Sequence, residues 1–240
     1  MGLLSGKKSK KVHYRNSKPE EFRMKMLPYK IDDVRNAEDP KEFFKFMKGN
    51  FKNADTLEMF NQFISTIPSR CAKYKFAGIF VGKSHTGKTT TLNIIRKVYS
   101  YQQGEDDAGE KESMLIPLPA DKIMIRGRFG RAANGPDPFI AQLIGAGAAV
   151  CDETDKNDKI DSSIFKAYTG GGALTVRDMY KKPVNYEPTA QIIISTNYSP
   201  KFDSSDQAVI NRMVIVPFSI VHEPDGKNTK SEDYFIEKLT

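Results

Sequence analysis

The residues best suited to chemistry form one run, Gly82-Lys83-Ser84-His85-Thr86-Gly87-Lys88-Thr89, with Thr90 directly after it. Gly, four free positions and then Gly-Lys-Ser/Thr is the spacing that turns successive backbone N–H groups toward a polyphosphate. In that pattern Lys88 reaches the β/γ-phosphates and the Thr89 hydroxyl holds Mg²⁺. A phosphate loop alone only binds, and hydrolysis asks for more groups. Asp152 and Glu153 follow the apolar run Ala148–Cys151. Asp152 is expected to hold Mg²⁺, often through water, and Glu153 to orient and deprotonate an attacking water. Asn197 follows Gln191–Thr196. Its amide suits a hydrogen bond to a γ-phosphate or to the lytic water without adding charge, and Asn is equally a common turn residue at strand ends. Arg212 precedes Met213–Phe218; a guanidinium there suits either charge growing on a γ-phosphate or a surface salt bridge.

These groups need elements to position them. Phe76–Val81 is a short apolar run expected to form a buried parallel strand, and Thr90–Val98 has helical spacing, so the loop sits between strand and helix where a positive helix end adds to anion binding. Ala148–Cys151, Gln191–Thr196 and Met213–Phe218 read as further strands, Leu115–Leu118 with Ile123–Ile125 as a short strand, and Pro138–Leu143 as a helix. Gln102–Glu112 is polar and reads as a solvated loop. Upstream, Phe43, Phe44, Met47 and Phe51, then Leu57, Phe60, Phe63 and Ile64, repeat at helical spacing and predict two core-facing helices. The sum is an α/β fold with a mainly parallel sheet flanked by helices and preceded by a small helical region. The boundaries read as a basic arm over 1–30, helices over 31–72, the nucleotide core over 73–220 and a C-terminal segment over 221–240.

Bulk properties narrow the classes. The net charge of +7 invites a nucleic-acid reading, but residues 1–30 hold nine Lys/Arg against Glu20 and Glu21, which is 9 − 2 = +7, and the remainder is neutral. Binding to DNA therefore has to rest on local chemistry. No stretch is apolar over the ~18 residues a membrane span needs. The lysines that follow Met1-Gly2-Leu3-Leu4 do not suit a signal peptide. Cys71 and Cys151 read as small core residues of a reduced, cytoplasmic setting, and His13, His85 and His222 are too scattered for zinc.

The order of the parts resembles a known family. GKSHTGKT, AVCDET, YTGGGALTVRDMYKKPVNYEP, IIISTN and DQAVINRMVIVPF are similar, in that order, to the ATPase domain of superfamily 3 helicases, in the branch of phage, plasmid and poxvirus primase–helicases. LPYKIDD and the helices after it resemble the region preceding that domain, so the likeness spans residues 20–240. It implies an AAA+-like P-loop ATPase that binds ATP and Mg²⁺, assembles into a homo-oligomeric ring, typically a hexamer, and unwinds forked duplex DNA. It implies further that Lys88 and Thr89 are the phosphate-loop pair, Asp152 and Glu153 the acidic motif, Asn197 the sensor, and Arg212 a finger serving the neighbouring subunit's ATP. The segment after Gly170-Gly171-Gly172 corresponds to a hairpin that grips single-stranded DNA in the ring channel, with Arg177, Tyr180, Lys181 and Lys182 as its DNA contacts. Asp152 stands where many members carry a small residue, which blurs which carboxylate is nearer the metal. The helical pattern Asp233–Leu239 running to the last residue suggests a piece of a longer polypeptide, with a linked primase module as the family expectation. An ATP-switched DNA-binding initiator or packaging ATPase, and a small-molecule kinase, are the other classes that a phosphate loop permits.

Overall fold

The computed structural model describes residues 41–68, 75–102, 111–125, 137–152, 154–176 and 182–222. The arm over 1–30 and the helix expected over Asp233–Leu239 lie outside the described residues. In chain order the elements are α1 (Lys41–Asn50), α2 (Ala54–Ser65), β1 (Ala77–Val81), α3 (Lys88–Val98), β2 (Ser100–Gln102), β3 (Lys111–Ser113), β4 (Leu115–Pro117), β5 (Met124–Ile125), α4 (Pro138–Ala141), β6 (Ala148–Cys151), β7 (Lys159–Ile160), α5 (Ser162–Lys166), β8 (Leu174–Val176), β9 (Val184–Tyr186), β10 (Gln191–Thr196), α6 (Gln207–Ile210) and β11 (Met213–Pro217). Among the described residues no helix is long and apolar enough to cross a membrane.

Five strands form the central sheet in the order β11-β1-β10-β6-β4, and every neighbouring pair runs parallel. Continuous apolar runs are what such a sheet requires, because both faces are covered. Alternation along each strand then divides its residues between two cores. Ile79, Ile192, Ile194 and Cys151 join Leu143, Phe165, Tyr168 and Val209 on one face. Phe80, Ile193, Val150 and Val216 join Phe60, Phe63, Leu92 and Ile95 on the other. The two upstream helices are thus part of the sheet's own core: the rings of Phe51, Phe60, Phe63, Phe80 and Phe218 meet at 5.1–6.4 Å between centroids. The Asn53 side chain starts α2 by accepting from the Thr56 amide at 2.8 Å, the usual way to satisfy an orphan helix donor.

Two details depart from the expectations. Gln102, Lys111 and Glu112 are not loop but strand ends, since β2 and β3 pair antiparallel in register Ser100↔Ser113. Short polar strands carry no apolar alternation, so they look like loop in sequence. The stretch read as one short strand splits in two. Leu115–Pro117 joins the central sheet at its edge, whereas Met124–Ile125 pairs antiparallel with Lys159–Ile160. Leu118 and the turn Ala120–Lys122 lie between them, and the Leu118 amide bonds to the Val150 carbonyl.

A parallel sheet delivers the residues that follow its strands to one edge. The segments after β1, β6, β10 and β11 therefore emerge together. The residue before β11, Arg212, lies at the other edge, where its carbonyl accepts from the Ala77 amide at the start of β1.

Candidate active site

The phosphate loop leaves β1 at Gly82, whose amide bonds to the Thr196 carbonyl at 3.1 Å and so fastens the loop to the end of β10. Gly82 has no room for a side chain, because a Cβ there would press into the Phe218 carbonyl oxygen and the Phe218 Cβ. The turn closes through His85 at φ 62° and Gly87 at φ 79°, left-handed values that Gly87 adopts without cost. Gly87 is the N-cap of α3, so the first free amides of that helix and its positive end face the loop. Behind the loop, the Phe218 amide bonds to the Val81 carbonyl and the His222 amide to the His85 carbonyl at 2.7 Å. The His222 Nε2 lies 2.7 Å from the Oδ1 of Asn50, the fully buried last residue of α1, and the His222 ring stacks on Phe46.

Lys88 is buried, 7 % exposed, at the centre of this turn. Its Nζ donates to the carbonyls of Gly82 at 2.6 Å and Lys83 at 2.8 Å, and to Asn197 Oδ1 at 3.0 Å, with Thr86 Oγ1 at 3.3 Å. Thr86 in turn donates to the Lys83 carbonyl. Burial pushes the Lys88 ammonium pKa below its ordinary value, and the nearby Asp152 carboxylate pulls partly the other way.

Ser84, His85, Thr86, Gly87, Lys88, Thr89, Thr90, Asp152 and Asn197, together with Thr154, Ser195 and Thr196, line one cavity of about 400 Å³. That is within the ordinary range of small-molecule sites. Its lining combines a cation, loop amides, hydroxyls and one carboxylate, a set matched to a metal-bound polyphosphate. Thr89 and Asp152 are both exposed there, one at the first turn of α3 and the other just past β6. Gly82 and Lys83 contribute carbonyls that hold Lys88 rather than lining the cavity. Glu153, Arg177, Tyr180 and Lys181 lie outside the described residues.

Arg212 is not at this cavity. Its Nη1 donates to the Ala208 carbonyl at 2.6 Å, and its Nε is buried without a partner. The five-residue strand β1 separates its end of the sheet from the loop, about 16 Å at ~3.3 Å per residue. The hairpin has its two arms: β8 and β9 pair antiparallel in register Leu174↔Tyr186 and Val176↔Val184, with Lys182 exposed beside β9. Tyr186 roots it by donating to the Leu143 carbonyl at 2.8 Å. Sequence reasoning passed over Thr154, Ser195 and Thr196. Their hydroxyls belong to no spacing rule, and only the strand register brings them to the cavity.

With this geometry in view, likeness to known proteins can be weighed. A family of unknown function (DUF5906) matches residues 123–212, a stretch that includes Asp152, Asn197 and Arg212 and stops short of the phosphate loop. The chain is 28% identical over 198 residues to "Primase D5" of fowlpox virus, covering 80% of this chain and 22% of that protein. It is 23% identical over 227 residues to "Putative helicase L207/L206" of Acanthamoeba polyphaga mimivirus, covering 91% and 22%. The chain thus spans under a quarter of the length of these two relatives. Among solved structures, the apo C-terminal region of NrS-1 superposes with a TM-score of 0.61 at 16% identity, over 93% of this chain and 51% of that one, so the two share a fold. These matches fit the superfamily 3 primase–helicase branch that the motif order resembles.

Proposed function

We propose that this chain is the ATP-driven motor portion of a larger primase–helicase, acting on DNA in the cytoplasm of a host cell that carries a virus, phage or other mobile element. The names of the relatives support a helicase-related role in DNA metabolism. The observation that carries the finer reading is the gathering of Lys88, Thr89, Asp152 and Asn197 on one cavity while Arg212 stands at the far edge of the sheet. In this reading the loop amides and Lys88 bind the ATP phosphates, and Thr89 with Asp152 holds Mg²⁺, which neutralises phosphate charge. Asn197 holds Lys88 in place and faces the γ-phosphate. Glu153 takes a proton from the attacking water as its oxygen bonds to the γ-phosphorus and the bond to the β-phosphate oxygen breaks. Arg212 reaches the ATP of the next subunit in a ring, probably best built as a hexamer, and the β8–β9 hairpin carries Lys182, and by the same resemblance Arg177, Tyr180 and Lys181, to single-stranded DNA at a fork.

ATP turnover measured against protein concentration, with and without single-stranded DNA, tests this. Specific activity is expected to rise with concentration, to increase with DNA, and to vanish in Lys88→Ala. Turnover that is independent of both concentration and DNA would count against a ring motor, and phosphorylation of an added metabolite would favour a kinase.

A further inference from the structure

The cavity wall holds several hydroxyls, and those of three threonines differ in what they do. Thr86 Oγ1 donates to the Lys83 carbonyl and receives Lys88. Thr196 Oγ1 donates to the Tyr198 carbonyl at 3.0 Å and accepts the Tyr198 amide at 3.1 Å, which closes its own turn. Thr154 Oγ1 is buried and has no hydrogen-bond partner. Thr154 lies two residues past Asp152 and shares the cavity with it and with Asn197. A buried hydroxyl without a partner forfeits its water without compensation, so such a group calls for a specific explanation. Packing does not supply one, because a valine methyl would fill the same volume at no polar cost.

We propose that Thr154 is a positioning residue for the attacking water, an inference that rests on the nucleotide-hydrolysis reading above. A water poised for in-line attack must present a lone pair to phosphorus, so both of its O–H bonds need acceptors elsewhere. Glu153 accepts one and removes that proton as the oxygen–phosphorus bond forms. Thr154 Oγ1 accepts the other, which fixes the water's orientation and gives the hydroxyl the partner it lacks. The proton that leaves with Glu153 and the bond electrons that pass to the β-phosphate oxygen complete the balance. Thr154 itself exchanges no proton.

The test compares Thr154→Val and Thr154→Ser with the wild-type chain, read by thermal melting and by affinity for Mg·ADP with and without aluminium fluoride, which imitates the γ-phosphoryl group under attack. Thr154→Val is expected to melt at or above the wild-type temperature and to bind Mg·ADP unchanged. The tightening that aluminium fluoride produces is expected to fall about tenfold, the scale of one hydrogen bond in a charged site. Thr154→Ser is expected to restore it. Equal tightening in Thr154→Val and wild type overturns the inference and leaves the nucleotide reading intact. A markedly lower melting temperature for Thr154→Val overturns it too, by making the hydroxyl structural. A wild-type chain that binds no nucleotide overturns both readings.

Discussion

At the scale of single residues, Lys88 is the most constrained group in the molecule. Its charge is buried and is held by two loop carbonyls and the Asn197 amide oxygen. Because burial sets its folded pKa below the usual 10.5, the unfolded chain binds the extra proton between those two values. The charge on Lys88 therefore costs stability below the folded pKa, and that cost is relieved as pH rises through it. A polyphosphate reverses the shift by adding negative charge beside the ammonium. Binding of Mg·ADP is accordingly expected to take up protons in the alkaline range below pH 10.5. Calorimetry in buffers of different ionisation enthalpy would read this, and a binding heat independent of buffer there would contradict it. Lys88 was legible from sequence because phosphate geometry dictates the spacing of its motif. Thr154 was not, because its significance is the absence of a partner, which only packing can reveal.

At the scale of elements, the short helices carry the connection between Arg212 and the hairpin. Asp206 caps α6 by accepting from the Ala208 and Val209 amides, and it pairs with Lys166 of α5 at 2.8 Å. From α5 the chain passes through the π-turn Ala167–Gly171 into β8. The hydrogen bond from Lys166 is the chief cause holding the Asp206 carboxyl below its usual value of 3.8. A carboxylate with a depressed folded pKa contributes stability that is complete above 3.8 and is lost as pH falls through the folded value. Asp206→Asn is therefore expected to be less stable than wild type near neutrality. That difference should shrink toward zero in acid, as measured by urea unfolding across a pH series; a pH-independent difference would remove the pair from this role. The strands of the central sheet were readable because runs such as Gln191–Thr196 are apolar and β-branched. The polar β2–β3 pair was not, since nothing in Ser100–Gln102 marks it except its partner eleven residues away in register with Lys111–Ser113.

At the scale of the whole molecule, the sheet sets the loop and Arg212 at opposite edges, so one copy cannot complete its own site with that guanidinium. If a neighbour supplies it, mixing Arg212→Ala with Glu153→Gln subunits should restore part of the turnover that each lacks alone. Confirmed co-assembly without recovery would argue against sharing. Motif order could suggest that division of labour, but only the parallel topology, with Arg212 bonded through its carbonyl to the start of β1, gives it a spatial reason. The strap behind the phosphate loop has a mechanical consequence. Phe218 and His222 grip Val81 and His85 through their amides, and His222 also bears on Asn50 at the end of α1. Tension on the chain beyond His222 would load the back of the loop before it reached the sheet, so a pull there and the grip on phosphate would share one line of force.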